Sequence, residues 1–282
     1  MQTITSIAEM RAACRQLRLK SESGLGFVPT MGALHDGHLS LVRMAREQCG
    51  GVAVSIFVNP RQFGPTEDLD AYPRTPERDA GMLRASGADL LFLPAASEIY
   101  PTDFSTFVTV DGLSDRLCGG SRPGHFRGVT TVVAKLLNIV QPDKAFFGQK
   151  DAAQAAIIRK MVADLGFPVE VVTGAIVREA GGLAMSSRNA YLTAAQRAQA
   201  TVLSRALQEV ELLVAAGVTD SRRLIAAARQ TIALEPGVRV DYVSIVDPDT
   251  LLPVEDVAGG ALVAVAALAG SARLIDNVIV RG

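Results

Sequence analysis

Two of the chain's three histidines stand either side of Asp36-Gly37, in the stretch Pro29-Thr30-Met31-Gly32-Ala33-Leu34-His35-Asp36-Gly37-His38. An apolar run precedes this stretch and a segment of helical period follows it, so it reads as a strand-to-helix turn. At such a turn a glycine lets the backbone come close to a phosphate. The helix start offers N–H groups and the positive end of its dipole, and two imidazoles add donors. His35 and His38 therefore suit the stabilisation of charge on a triphosphate during displacement at its α-phosphorus, a reading their pairing at one turn favours over that of satisfied structural side chains. A two-histidine metal site would need a third ligand, which the local sequence lacks.

The same strand, turn and helix logic recurs at Phe147-Gly148-Gln149-Lys150-Asp151. Lys150 is a compact point charge for phosphate oxygens, and Asp151 can accept from ribose hydroxyls or cap the following helix. A third stretch, Met185-Ser186-Ser187-Arg188-Asn189, combines hydroxyls with a guanidinium and suits an anionic leaving group, or serves as a polar loop. Phe57-Val58-Asn59-Pro60-Arg61-Gln62-Phe63 sets the amides of Asn59 and Gln62 beside apolar side chains, a mixture fit for a small branched hydroxy acid or for a turn enforced by Asn-Pro. Arg122-Pro123-Gly124-His125-Phe126-Arg127-Gly128 opens a helix with two arginines and a histidine, which bind an anion or cap the helix.

These groups must be held by elements legible in the hydrophobic pattern. Strands are expected over 24–30, 52–58, 88–94, 144–148 and 169–172, alternating with helices over 38–48, 76–86, 125–140 and 152–165. That alternation predicts an α/β fold with a doubly wound parallel, Rossmann-like sheet. The pattern breaks at residues 178–182, REAGG. Beyond it come a long helix over 193–216 with Thr193 as N-cap, a helix over 221–233, and strands over 238–246, 261–269 and 272–280. We therefore expect a nucleotide-binding domain over residues 1–178 and a smaller C-terminal α+β lid domain over 179–282.

Composition narrows the partner. The chain has 282 residues, 49% hydrophobic, and a formal net charge of -1 with Lys and Arg scattered, so the expected partner is a small molecule and not nucleic acid. Cys14, Cys49 and Cys118 are odd in number and far apart, which fits neither a disulfide framework nor a zinc spacing. The N-terminal stretch mixes charge with apolar residues at helical spacing and lacks the apolar centre of a secretion signal. The longest apolar run, ALVAVAALA over 261–269, is far short of the ~20 residues a membrane helix needs. A cytoplasmic protein with no membrane partner is expected.

In this order the five stretches closely resemble the pantothenate synthetases, or pantoate–β-alanine ligases. The resemblance runs from Thr30 to Ala272-Arg273-Leu274-Ile275-Asp276-Asn277, and its most specific parts are PTMGALHDGH, VSIFVNP, YPRT at 72–75, RPGHFRGV and MSSRN. It implies membership of the nucleotidyltransferase-like group that shares a His-x-Gly-His turn with class I aminoacyl-tRNA synthetases. The implied reaction is ATP-dependent condensation of pantoate with β-alanine through a pantoyl-adenylate, releasing AMP and pyrophosphate. The resemblance puts ATP phosphates at His35, His38, Lys150, Ser186, Ser187 and Arg188, Asp151 near the ribose, and Gly37, Gly148 and Met185 among the nucleotide-binding positions. Pantoate would lie against Met31, with Gln62 and Gln154 holding its hydroxyl and carboxylate groups and Asn59 positioning the reacting groups. Mg²⁺ would accompany the nucleotide, and a homodimer is implied.

The chain departs from the family pattern at Arg61, Cys118, Gln149, Ala152 and Ala153, none of which replaces a residue assigned to chemistry. Two rival functions remain from the residues themselves. A nucleotidyltransferase that leaves the nucleotide on its product would use the same histidine turn, and a silent nucleotide-binding regulator would bind ATP without turnover. A transfer-RNA ligase would need a basic anticodon-reading region, which is not apparent.

Overall fold

The computed structural model describes residues 1–65 and 67–282. Along the chain the elements are β1 (Gln2–Ile4), α1 (Ile7–Leu19), β2 (Leu25–Thr30), α2 (Asp36–Gln48), β3 (Gly51–Ile56), α3 (Pro76–Ala85), β4 (Leu90–Phe92), α4 (Ala96–Ile99), α5 (Cys118–Ser121) and α6 (His125–Val140). They continue with β5 (Lys144–Gly148), α7 (Ala152–Asp164), β6 (Glu170–Gly174), α8 (Ala194–Ala200), α9 (Val202–Ala215), α10 (Ser221–Ala233), β7 (Val238–Val246), β8 (Ala261–Ala269) and β9 (Ala272–Val280). The chain divides into two compact units, one of Met1–Asp115, Arg122–Gly148 and Ile157–Gly174, the other of Arg116–Ser121, Gln149–Ala156 and Ala175–Gly282.

The first unit holds a six-stranded sheet in the order β1-β4-β3-β2-β5-β6, with every neighbouring pair parallel. All five predicted apolar runs form strands of this sheet. Strand order reverses at β2, with β3, β4 and β1 on one side and β5 and β6 on the other, so β2 and β5 flank the topological switch point. Side chains alternate across the sheet. Val28, Val54, Leu91 and Phe146 pack with Leu39, Val42 and Ala45 of α2 and Leu83 of α3, while α1 and α6 pack together and against β2.

Two local expectations change in the first unit. The hydrophobic pattern predicts no strand before residue 24, yet Gln2–Ile4 pairs with β4. Three residues are too few to show a period of two, and α1 begins only after Ser6, whose hydroxyl caps the Glu9 N–H. Helix α2 begins at Asp36, not at residue 38, because His35 itself serves as the N-cap.

The second unit holds an antiparallel sheet in the order β7-β8-β9, with α9 and α10 packed together and against it. The longest apolar run is its central strand, β8, buried almost throughout. The long helix expected over 193–216 is two helices. Thr193 and Gln196 form the capping box of α8, and Thr201, whose hydroxyl turns back to the Ala198 carbonyl, separates α8 from α9.

Candidate active site

In the first unit, His35 caps α2 with its own ring. Its Nδ1 accepts the Gly37 N–H at 3.2 Å, while His38 Nδ1 accepts the His35 N–H at 3.4 Å. The two rings lie 4.1 Å apart between centroids, tilted by 38°. A ring nitrogen that accepts an N–H carries no proton, so in each neutral imidazole the hydrogen sits on Nε2. The turn thus sets both rings as Nε2–H donors at a helix N-terminus. The residues in the left-handed region are Gly32 and Ala33, not Gly37.

Met31, Asn59 and Gln62 are joined in one chain of contacts. Asn59 Nδ2 donates to Gln62 Oε1 at 2.9 Å, and Gln62 Nε2 donates to Met31 Sδ at 3.0 Å. A thioether is a weak acceptor, so a carboxylate or hydroxyl oxygen offered to Gln62 displaces it readily. Asn59 is 1% exposed and fully engaged. Its Nδ2 also donates to the Gly128 carbonyl, and its Oδ1 accepts from the Arg61 N–H and from the Tyr100 hydroxyl at 2.8 Å. Burial pushes the Tyr100 phenol up against the downward pull of the Arg61 guanidinium, which keeps it a donor.

Arg122 and His125 serve Gln62 in place of capping α6, whose N-cap Gly124 has no side-chain cap. His125 Nδ1 donates to the Gln62 carbonyl at 2.9 Å, and its Nε2 faces Arg122 Nη1 at 3.0 Å. Arg122 also grips Glu67 through two 2.6 Å bonds. Burial pushes the Glu67 carboxyl up, but these bonds and the Arg122 charge outweigh it and hold the group below its ordinary value. Gly128 is required for space, since a Cβ there would lie 2.2 Å from the Arg61 carbonyl oxygen.

In the second unit, Gln149, Lys150 and Asp151 form a 3-10 turn leading into α7, and Lys150 Nζ lies 3.7 Å from Asp151 Oδ2. Strand β9 pins this turn. Asn277 Nδ2 donates to the carbonyls of Gln149 and Lys150 at 2.9 and 3.0 Å, and Gln149 Nε2 donates back to Asn277 Oδ1 at 2.9 Å. The neighbouring Asp276, 3% exposed, takes a bidentate pair from Arg178 at 2.6 and 3.0 Å. Gln154 lies half-buried on the first turn of α7.

Ser186 caps a second 3-10 turn, Ser187–Tyr191, by accepting the Arg188 N–H at 3.3 Å. Buried Asn189 anchors it through Glu179 and the Ala184 carbonyl, and Arg197 clamps Glu179 and the Asn189 carbonyl. Met185 and Gly148 are half-buried at the edges of these turns. Glycine is not demanded by space at 148, where a Cβ would meet nothing within 4 Å.

Sequence reasoning overlooked Tyr100, Arg178 and the positioning role of Asn277. Their partners are 41 to 128 residues away, and no local pattern announces such pairs. Among the described residues no group of three or more His, Cys, Asp or Glu is placed to hold a metal ion, and no helix is long and apolar enough to cross a membrane.

The family described as pantoate-beta-alanine ligase matches residues 2–279. The pantothenate synthetase of Acidobacterium capsulatum is 58% identical, over 99% of this chain and 97% of its own length. That of Koribacter versatilis is 57% identical, over 100% and 96%. Among solved structures, pantothenate synthetase from Thermus thermophilus superposes with a TM-score of 0.95 at 48% identity, covering 100% of both chains. Pantoate-beta-alanine ligase from Francisella tularensis, solved in complex with beta-gamma ATP and beta-alanine, gives 0.82 at 31% identity, over 99% of this chain and 97% of its own. With the histidine turn, the Asn59–Gln62 chain and the Lys150 and Ser186 turns all formed, and with relatives matching from end to end, this chain belongs to the pantoate–β-alanine ligase family.

Proposed function

We propose that the protein joins pantoate to β-alanine in two steps through a pantoyl-adenylate. In the first, a pantoate carboxylate oxygen attacks the α-phosphorus of MgATP, the bond to the bridging oxygen breaks, and pyrophosphate leaves. In the second, the β-alanine amine attacks the acyl carbon and AMP departs. The carboxylate is already ionised at neutral pH, so the first step needs positioning and charge stabilisation more than a base.

The observation that carries this reading is the histidine turn, whose backbone bonds set both Nε2–H groups as donors. His35 and His38 take phosphate oxygens, as do Lys150, Ser186, Ser187 and Arg188. Asp151 accepts from the ribose, and Gly37, Gly148 and Met185 complete the nucleotide-binding positions. Met31, Gln62 and Gln154 hold pantoate. Asn59, its four hydrogen-bonding positions filled by protein, acts by aligning Gln62. Mg²⁺ enters with ATP as part of the substrate, and no step is assigned to a metal held by the protein alone. We take the protein to be a cytoplasmic homodimer.

The test is isotopic. With MgATP and pantoate alone, labelled pyrophosphate should exchange into ATP. Adding β-alanine should give pantothenate and free AMP in equal amounts, with oxygen-18 from the pantoate carboxylate appearing in AMP. Nucleotide retained on the product would indicate a nucleotidyltransferase, and label passing to phosphate with ADP would indicate an acyl-phosphate route. ATP binding with no exchange and no product would leave a silent regulator.

A further inference from the structure

The segment leading into His35 contains two consecutive left-handed residues, Gly32 at φ 83° and Ala33 at φ 49°. Glycine adopts this region freely, whereas alanine is strained there and stays only where its surroundings over-determine it. Asp79 of α3 does so. Its Oδ2 accepts the Ala33 N–H at 2.8 Å, and its Oδ1 accepts the Leu34 N–H at 2.9 Å and the Thr75 hydroxyl at 3.1 Å. Asp79 is 1% exposed, and the turn approaches so closely that a Cβ on Gly32 would lie 3.1 Å from Oδ2.

A carboxylate is costly to bury, and here its donors are two successive backbone N–H groups and a hydroxyl, none of them a cation. A helix that only needed a cap would use an exposed residue at its start. Asp79 instead sits on the inward face of α3, four residues before buried Leu83, aimed at the backbone just ahead of His35. The geometry points to Asp79 as a positioning residue for the adenylation step: it holds residues 32–34 so that His35 caps α2 and its Nε2–H meets the nucleotide. This rests on the reaction assigned above.

The experiment compares Asp79→Asn with Leu83→Ala, a packing lesion in the same helix, by pantoate-dependent ATP–pyrophosphate exchange in the full chain, with the folded fraction measured by circular dichroism. Asn keeps the shape but turns an amide N–H₂ towards one of the two backbone donors. Per folded molecule, Asp79→Asn should lower kcat about 10- to 100-fold, with KM for pantoate changing by less than about twofold. Leu83→Ala should lose activity only as it loses folded protein. An Asp79→Asn kcat within twofold of the unaltered protein, or a loss matching its unfolded fraction, overturns the proposal while leaving the reaction in place. Absence of exchange in the unaltered protein overturns the reaction itself and this inference with it. Should Asp79→Asn not fold, Thr75→Val, which removes one donor to Oδ1, must lower kcat a few-fold at unchanged KM, and an unchanged kcat counts against the proposal.

Discussion

The turns after β2 and β5 share one sequence logic, but their functional side chains are set differently. At the first, the bonds to the rings are local, His35 and His38 bonding to backbone two and three residues away, and the distant Asp79 holds only the backbone at Ala33 and Leu34 that leads into them. At the second, the carbonyls of Gln149 and Lys150 are gripped by Asn277, 128 and 127 residues along the chain. A local cap forms with its helix, whereas a long-range grip exists only once the second sheet has assembled. Groups set by side-chain chemistry should therefore fail through catalysis when altered, and groups set by distant strands should fail first through stability.

The largest effect tests the distant support. Arg178→Met leaves the Asp276 carboxylate buried without its cation, which should cost about 3–5 kcal/mol in urea unfolding. A loss under about 1 kcal/mol would show that β9 does not depend on this pair.

The local turn comes next. His35→Ala and His38→Ala should each remove about 3 kcal/mol of transition-state stabilisation, a factor of about 100 to 1000 in turnover, with the fold retained. Stoichiometric zinc in the purified protein, lost with either histidine, would replace the donor reading with a metal site.

Asn277→Ala strands two carbonyls and should cost about 1–3 kcal/mol of stability while raising KM for ATP. If KM for ATP were unchanged, the grip of β9 on the Lys150 turn would be structural alone. Smallest are the departures from the family pattern. Gln149→Glu removes a donor to Asn277 Oδ1, and Arg61→Met removes a guanidinium lying 5.7 Å from the Tyr100 ring centroid and 5.8 Å from that of Phe107. Each should change stability by about 1 kcal/mol or less and leave the reaction the same in kind. Activity that appeared only in the double variant would mean the natural chain is a silent binder.

The sequence by itself determined the parallel sheet, the C-terminal strands and the histidine turn, because these depend on periods of two and 3.6 residues and on caps within one helical turn. It also carried enough motif spacing to point to the family. Hidden from it were β1, too short for a period, and the division of the helix at Thr201, where a hydroxyl competes with the backbone. Only the tertiary structure decided that Tyr100 holds Asn59, that Arg122 and His125 hold Gln62, and that Asn277 holds the Lys150 turn. The physical reason is that a hydrogen bond is specific in space and blind to separation along the chain. Residue types reveal which donors and acceptors are present, but the packing of strands and helices selects which of them meet.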